Sequence, residues 1–145
     1  MGHLSDVVKK GYEAANRGDL DALMDMLTAD IELWDVGQPP VHGKAEVRAA
    51  LNRILVAFPD LKITIRNLVE SDDCVVAEYT FSGTNLGPVH DPAGNEIPAT
   101  GKRVTAENCS VTRLRDGKLA SYRAYGDMLA FLMQLGLIPA GAPAA

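Results

Sequence analysis

Apolar and polar positions change rhythm partway along this chain. Leu4, Val7, Val8, Gly11, Tyr12 and Ala15 recur every three or four residues around Ser5, which predicts one amphipathic helix. "RGD" at 17–19 ends it, and Asp19 reads as the cap of a second helix with Leu20, Leu23, Met24 and Leu27 inward. "IELWD" (31–35) reads as a short strand, and "VGQPPVHG" as a loop, because consecutive prolines exclude helix and central strand. From Lys44 to Phe58 the helical rhythm returns, with Val47, Leu51, Ile54, Leu55 and Phe58 on one side.

After "FPD" the period falls to two. "LKITIRNLV" (61–69) and "CVVAEYTFSGT" (74–84) read as strands joined by "SDD", and "NLGPVHDPAGNEIPATG" as a long Gly/Pro-rich excursion. "KRVTAENCSVTRL" (102–114) and "KLASYRAYG" (118–126) follow, joined by the hairpin signal "RDG". A last helix is expected from about Asp127 to Leu135, stopped by Gly136. Helices first and paired strands afterwards predict an α+β fold, with helices on one face of a mostly antiparallel sheet. A strongly twisted sheet wrapped around helices leaves a conical hollow.

Alternation assigns side chains to faces. Tyr79 and Phe81 share a face and put Glu78 on the other. Asn108 shares parity with Val104, Ala106 and Leu114 and is expected inside, with Glu107 outside. Arg123, Tyr125 and Asp127 fall on one side, so an inward Asp127 would bring Tyr125 and Arg123 with it. Asp127 has two readings, which are compatible. As a helix N-cap it is worth about 0.5–2 kcal/mol over Ala. As a carboxylate in an aromatic, apolar setting it is a candidate general base, since burial raises its proton affinity.

At 145 residues the chain has the length of one domain, and 47% hydrophobic with 23% charged residues is ordinary globular composition. A net charge of −5 without a basic block argues against nucleic acid, and no apolar run approaches the roughly 18 residues of a membrane span. Cys74 and Cys109, in apolar strands, read as reduced core residues, and the expected location is cytoplasmic. His3, His42 and His90 have no spacing for a metal site, so no metal is expected, and no P-loop or GxGxxG offers a nucleotide cofactor a place. Met24, Met26, Met128 and Met133 read as core filler. A single domain is expected over 1–138, with 139–145 ("PAGAPAA") a mobile end.

"ANRGDLDALMDMLTADIELWD", "FPDLKITI", "FSGTNLGP" and "ATGKRVTAENCSVTRLRDGKLASYRAYGDMLAFLMQLGL" occur in an order and spacing that resemble the SnoaL-like polyketide cyclases of the NTF2-like superfamily. The resemblance runs from about Val7 to Leu137. It implies a cone of curved sheet around three helices with a short C-terminal helix. It also implies cofactor-independent ring closure of a polyketide by intramolecular aldol condensation. The catalytic carboxylate of the family falls on Asp127. The family's histidine on the neighbouring strand has no counterpart here, which leaves Asn108 or Ser110 to orient the substrate or contact an oxyanion, with Tyr125 beside them. Asn85 stands where a "GTH" turn usually carries histidine.

Tyr12, Trp34, Leu51, Leu55, Phe58, Tyr79, Phe81, Ser110, Arg123, Met128 and Leu132 are expected to bind substrate, with Trp34 as an aromatic wall for a flat polycyclic molecule. A homodimer through the sheet, or a tetramer, is the expected assembly. Isomerase or hydroxylase chemistry in the same hollow, or a binding module without chemistry, remain alternatives on a fold that hosts many activities.

Overall fold

The computed structural model describes residues 2–139. Helix α1 spans His3–Asn16 and α2 spans Leu20–Asp25. The Asp19 side chain accepts a hydrogen bond from the Ala22 N–H at 3.0 Å, so the predicted cap is in place. Leu27 belongs not to α2, as expected, but to strand β1 (Leu27–Asp35). The helix stops early because the chain at once enters a ladder: Leu119 N–H donates to the Met26 carbonyl, and Leu27 pairs with Leu119.

Strand β2 (Val41–His42) precedes α3 (Lys44–Ala57). Strands β3 (Lys62–Ser71) and β4 (Cys74–Thr84) form the first long hairpin. The Gly/Pro-rich excursion contains a two-stranded ribbon the periodicity does not announce, β5 (Val89–His90) with β6 (Glu96–Ile97). Strands β7 (Arg103–Arg115) and β8 (Lys118–Gly126) turn through Asp116 and Gly117, both at positive φ, as the "RDG" signal requires. Helix α4 (Met128–Leu135) ends at Gly136, whose φ of 77° is the left-handed cap.

The main sheet runs β2-β1-β8-β7-β4-β3, antiparallel except for the β1–β8 pair. Register shifts between Ile65 and Asn67 and between Arg113 and Leu114 bend it, as bulges do. This is the expected α+β cone: a curved, unclosed sheet with α1 and α3 against it and α2 packed on those two helices. One core cluster gathers Val8, Tyr12, Leu23, Ile31, Val47, Val75 and Leu119, while a second holds Ala57, Phe58, Val104 and Leu135 with Phe131 beside them. Apart from Pro139, the tail at 139–145 lies outside the described residues.

Asn85 joins three segments near the second cluster. It is fully buried; its Nδ2 donates to the carbonyls of Ala57 and Gly87, and its Oδ1 accepts from Thr100 N–H and Thr100 Oγ1. The residue therefore ties the end of α3 to the loops that carry β5 and β6. Asn85→Ala removes four hydrogen bonds and takes the side-chain partner from the Gly87 carbonyl and the Thr100 N–H, while the Ala57 carbonyl keeps Leu86 N–H; we expect a loss on the order of 3 kcal/mol. Urea unfolding should show a lower midpoint with an unchanged slope.

Candidate active site

Between helices and sheet lies a cavity of about 860 Å³ with a mainly apolar lining. Its floor follows from the sheet register. Asp35 pairs with Ala124, Ala124 with Ser110, and Ser110 with Ala77, which makes one row across four strands. Three of its members are small, so large side chains can lie over them. The flanking rows supply these: Tyr122 opposite Leu33, and Tyr79 opposite Asn108, itself opposite Gly126.

Tyr12 descends from α1 onto this floor, its ring centroid 5.1 Å from that of Tyr79. Its hydroxyl lies 2.5 Å from Ser110 Oγ and 2.9 Å from the Tyr122 hydroxyl, which in turn lies 3.2 Å from the Tyr79 hydroxyl. Asn108 Nδ2 donates to the Tyr79 oxygen at 3.5 Å. Three links among four hydroxyls use three protons, so the fourth is free to leave the chain. Burial raises the pKa values of Tyr12, Tyr79 and Tyr122, so all three remain neutral donors. Gly126 is needed for close approach here. A Cβ on it would meet the Asn108 Oδ1 at 2.4 Å.

Ile31, Leu33 and Asp35 share one parity of β1, and all three line the cavity. Asp35 is the residue that sequence reasoning passed over. Two inward apolar side chains followed by an aspartate at the same spacing was the available signal. Burial among protein atoms raises the Asp35 pKa, and no cation or hydrogen-bond donor among the described residues opposes that shift. The Asp35 charge also adds to burial in raising the Tyr79 pKa. Tyr122 was passed over as well, for the same reason of parity on β8.

Expected lining residues Tyr12, Leu51, Leu55, Phe58, Tyr79, Phe81, Asn108, Met128 and Leu132 do border the cavity. Ser110 lies beneath it, fully buried and bonded to Tyr12. Trp34 and Arg123 do not border it. Because Leu33 and Asp35 point inward, Trp34 points out, where the Arg123 guanidinium sits 5.3 Å from its ring centre and Tyr125 meets it edge-on at 5.5 Å. Arg123 faces outward because Tyr122 and Ala124 face inward. Tyr125 reaches the cavity only at its rim and is 39% exposed.

Asp127 borders the cavity with Tyr125 at the rim but without Arg123, because β8 ends at Gly126 and the alternation does not extend to it. It is exposed, and its Oδ1 accepts the Ala130 N–H at 3.0 Å, so it caps α4. The mouth also carries His90 and Gln38, whose Nε2 donates to the His90 carbonyl at 3.1 Å and so joins two loops. No group of His, Cys, Asp and Glu among the described residues could hold a metal ion, and none of their helices is long and apolar enough to cross a membrane.

Cone, cavity and polar floor together define an NTF2-like fold. The family model for SnoaL-like polyketide cyclases matches residues 5–135, and the chain belongs to that family. It is similar to the aklanonic acid methyl ester cyclase DnrD of Streptomyces peucetius, at 26% identity over 136 residues, 90% of this chain and 89% of that protein. Among solved structures, TsrD from Streptomyces laurentii shares 28% identity with a TM-score of 0.79 over 94% of this chain and 96% of that one. A SnoaL-like protein from Jannaschia sp. CCS1 has a TM-score of 0.83 at 21% identity, covering 94% of each chain, and that likeness speaks for the fold.

A carboxyl whose folded pKa is raised binds its proton more tightly in the folded state, so its ionisation lowers stability as pH rises. For Asp35→Asn we expect a stability difference from the parent that moves in the variant's favour as pH climbs above the unfolded value of about 3.9. Urea midpoints of both proteins between pH 4 and 8 check the sign.

Proposed function

We propose that this protein closes a ring within an apolar, oxygenated polyketide by intramolecular aldol condensation, without a cofactor. The observation that carries the reading is the cavity itself, which is the size of a small-molecule site, apolar on most walls and polar along one row of hydroxyls. An aldol closure develops negative charge on a carbonyl oxygen. Neutral tyrosines fixed before the substrate arrives can donate to that oxygen without reorganising. Asn108, held against Tyr79, occupies the strand where the family carries histidine and serves orientation.

Asp127 is the acid/base group of this reading. It stands where the last strand meets the cavity, with one oxygen on the helix cap and the other free to exchange protons at the mouth. Tyr125 stands beside it at the rim. The name of the relative DnrD suggests a methyl ester of a polycyclic polyketide acid as substrate class. A neutral ester also suits a lining that holds three carboxylates, Asp35, Asp91 and Asp127, against one arginine, Arg53. The same reading takes the outer sheet face as the surface of a cytoplasmic homodimer, with exposed Val69 and Tyr125 on it.

The test uses aklanonic acid methyl ester. Asp127→Asn retains an amide oxygen for the cap, whereas Asp127→Ala loses both the cap and the carboxylate. We expect both variants to lose about 10²–10⁴-fold in turnover, and only the alanine variant to lose stability, by about 1 kcal/mol. Turnover of the asparagine variant within tenfold of the parent would exclude Asp127 as acid/base.

A further inference from the structure

An aldol closure moves two protons, one off carbon and one onto oxygen, and Asp127 at the mouth accounts for the exchange at oxygen. On that reading of the pocket, we propose that Asp35 is a second catalytic carboxylate, the base that removes the proton from the carbon next to the substrate carbonyl.

The placement rests on three observations. Asp35 ends the inward row of β1 and stands beside Ala124, whose methyl leaves space above the floor. Tyr122 and Tyr79 stand on the adjoining rows and Tyr12 meets them from α1, with Tyr79 close enough to feel the Asp35 charge, so a carbonyl held by this chain has its neighbouring carbon on the same part of the floor. Its carboxylate has no salt bridge and no hydrogen-bond donor among the described residues. The other two carboxylates of the lining each hold at least one oxygen on the backbone, Asp127 on Ala130 N–H and Asp91 on Ala93 and Asn95 N–H, whereas Asp35 holds neither. A base with no partner keeps its lone pairs for the substrate, and an apolar surrounding strengthens it.

The step balances without a co-reactant. Asp35 takes the proton from the activated carbon, and the electron pair of that C–H bond moves to the carbonyl oxygen to give an enolate held by the hydroxyl chain. The enolate carbon bonds to the second carbonyl carbon. The oxygen of that carbonyl takes up one proton through Asp127 at the mouth, and Asp35 returns its own proton to water. The product is an isomer of the substrate.

The test isolates the first half of the reaction. 2-Tetralone is a neutral bicyclic ketone with an activated methylene and no second carbonyl, so it can lose a proton but cannot close a ring. In D2O the parent protein should speed deuterium entry at that methylene, read by NMR. Asp35→Asn should lose at least about 100-fold of that acceleration. Glu32→Gln, on the outer face of the same strand near His42, should leave it within twofold. Asp35→Ala should lose it too and regain part of it when formate is added, a rescue that a purely structural aspartate would not show. Without formate, exchange by either Asp35 variant within tenfold of the parent overturns the proposal, as does a parent protein with no exchange above buffer. Aklanonic acid methyl ester plays no part in this measurement. A protein that exchanges tetralone yet leaves that ester intact therefore refutes the substrate reading and not the role of Asp35.

Discussion

The parallel pairing of β1 with β8 is the contact on which the site depends. Every other neighbouring pair in the main sheet is antiparallel and joins strands that follow one another along the chain within that sheet. This one brings the first long strand beside the last, and both run toward the same end of the cone. The consequence is that Asp35 and Asp127, more than ninety positions apart in the chain, both border one cavity. Parallel partners need a long crossover, and here the crossover includes α3 and three long strands. The helix that roofs the cavity and the strands that floor it are thus parts of the same connection.

Electrostatics follow from that geometry. A cavity with few polar groups would ordinarily expel a carboxylate, or neutralise it with a cation. Here the cation nearest in the sheet register, Arg123, pairs with Trp34 rather than with Asp35 and stacks on that tryptophan on the outer face instead. The sheet therefore keeps that guanidinium on its outer side and the Asp35 carboxyl with the neutral phenols on its inner side, while the one arginine on the cavity lining, Arg53, comes from α3. Hydrogen bonding within the phenol chain offsets the desolvation of the hydroxyls, and the single long contact from Asn108 leaves the Tyr79 end the looser one.

Much of this was legible in the sequence. The change of period near residue 58 marks where helices give way to strands, and the caps at Asp19, Asp127 and Gly136 are local chemistry that needs no tertiary information. Inward placement of Asn108 followed from the parity of Val104 and Ala106. What local pattern could not supply is partnership across distance. The Tyr12–Ser110 bond spans 98 positions, and alternation says which face a residue takes but not what lies above it. Trp34 shows the opposite failure. A lone tryptophan suggests a binding wall, yet its inward neighbours Leu33 and Asp35 already decided its direction. The β5–β6 ribbon escaped notice because two-residue strands carry no period at all.

The hydroxyl chain has a consequence for recognition. Four linked O–H groups behave as a single dipole that can point one of two ways, set by whichever end has a partner. A ligand carbonyl at the Tyr79 end fits one direction. A ligand hydroxyl that must donate there forces every member of the chain to rotate. The pocket can therefore distinguish a ketone from its alcohol, two molecules of almost equal shape, by the orientation of protons as remote as the one on Ser110.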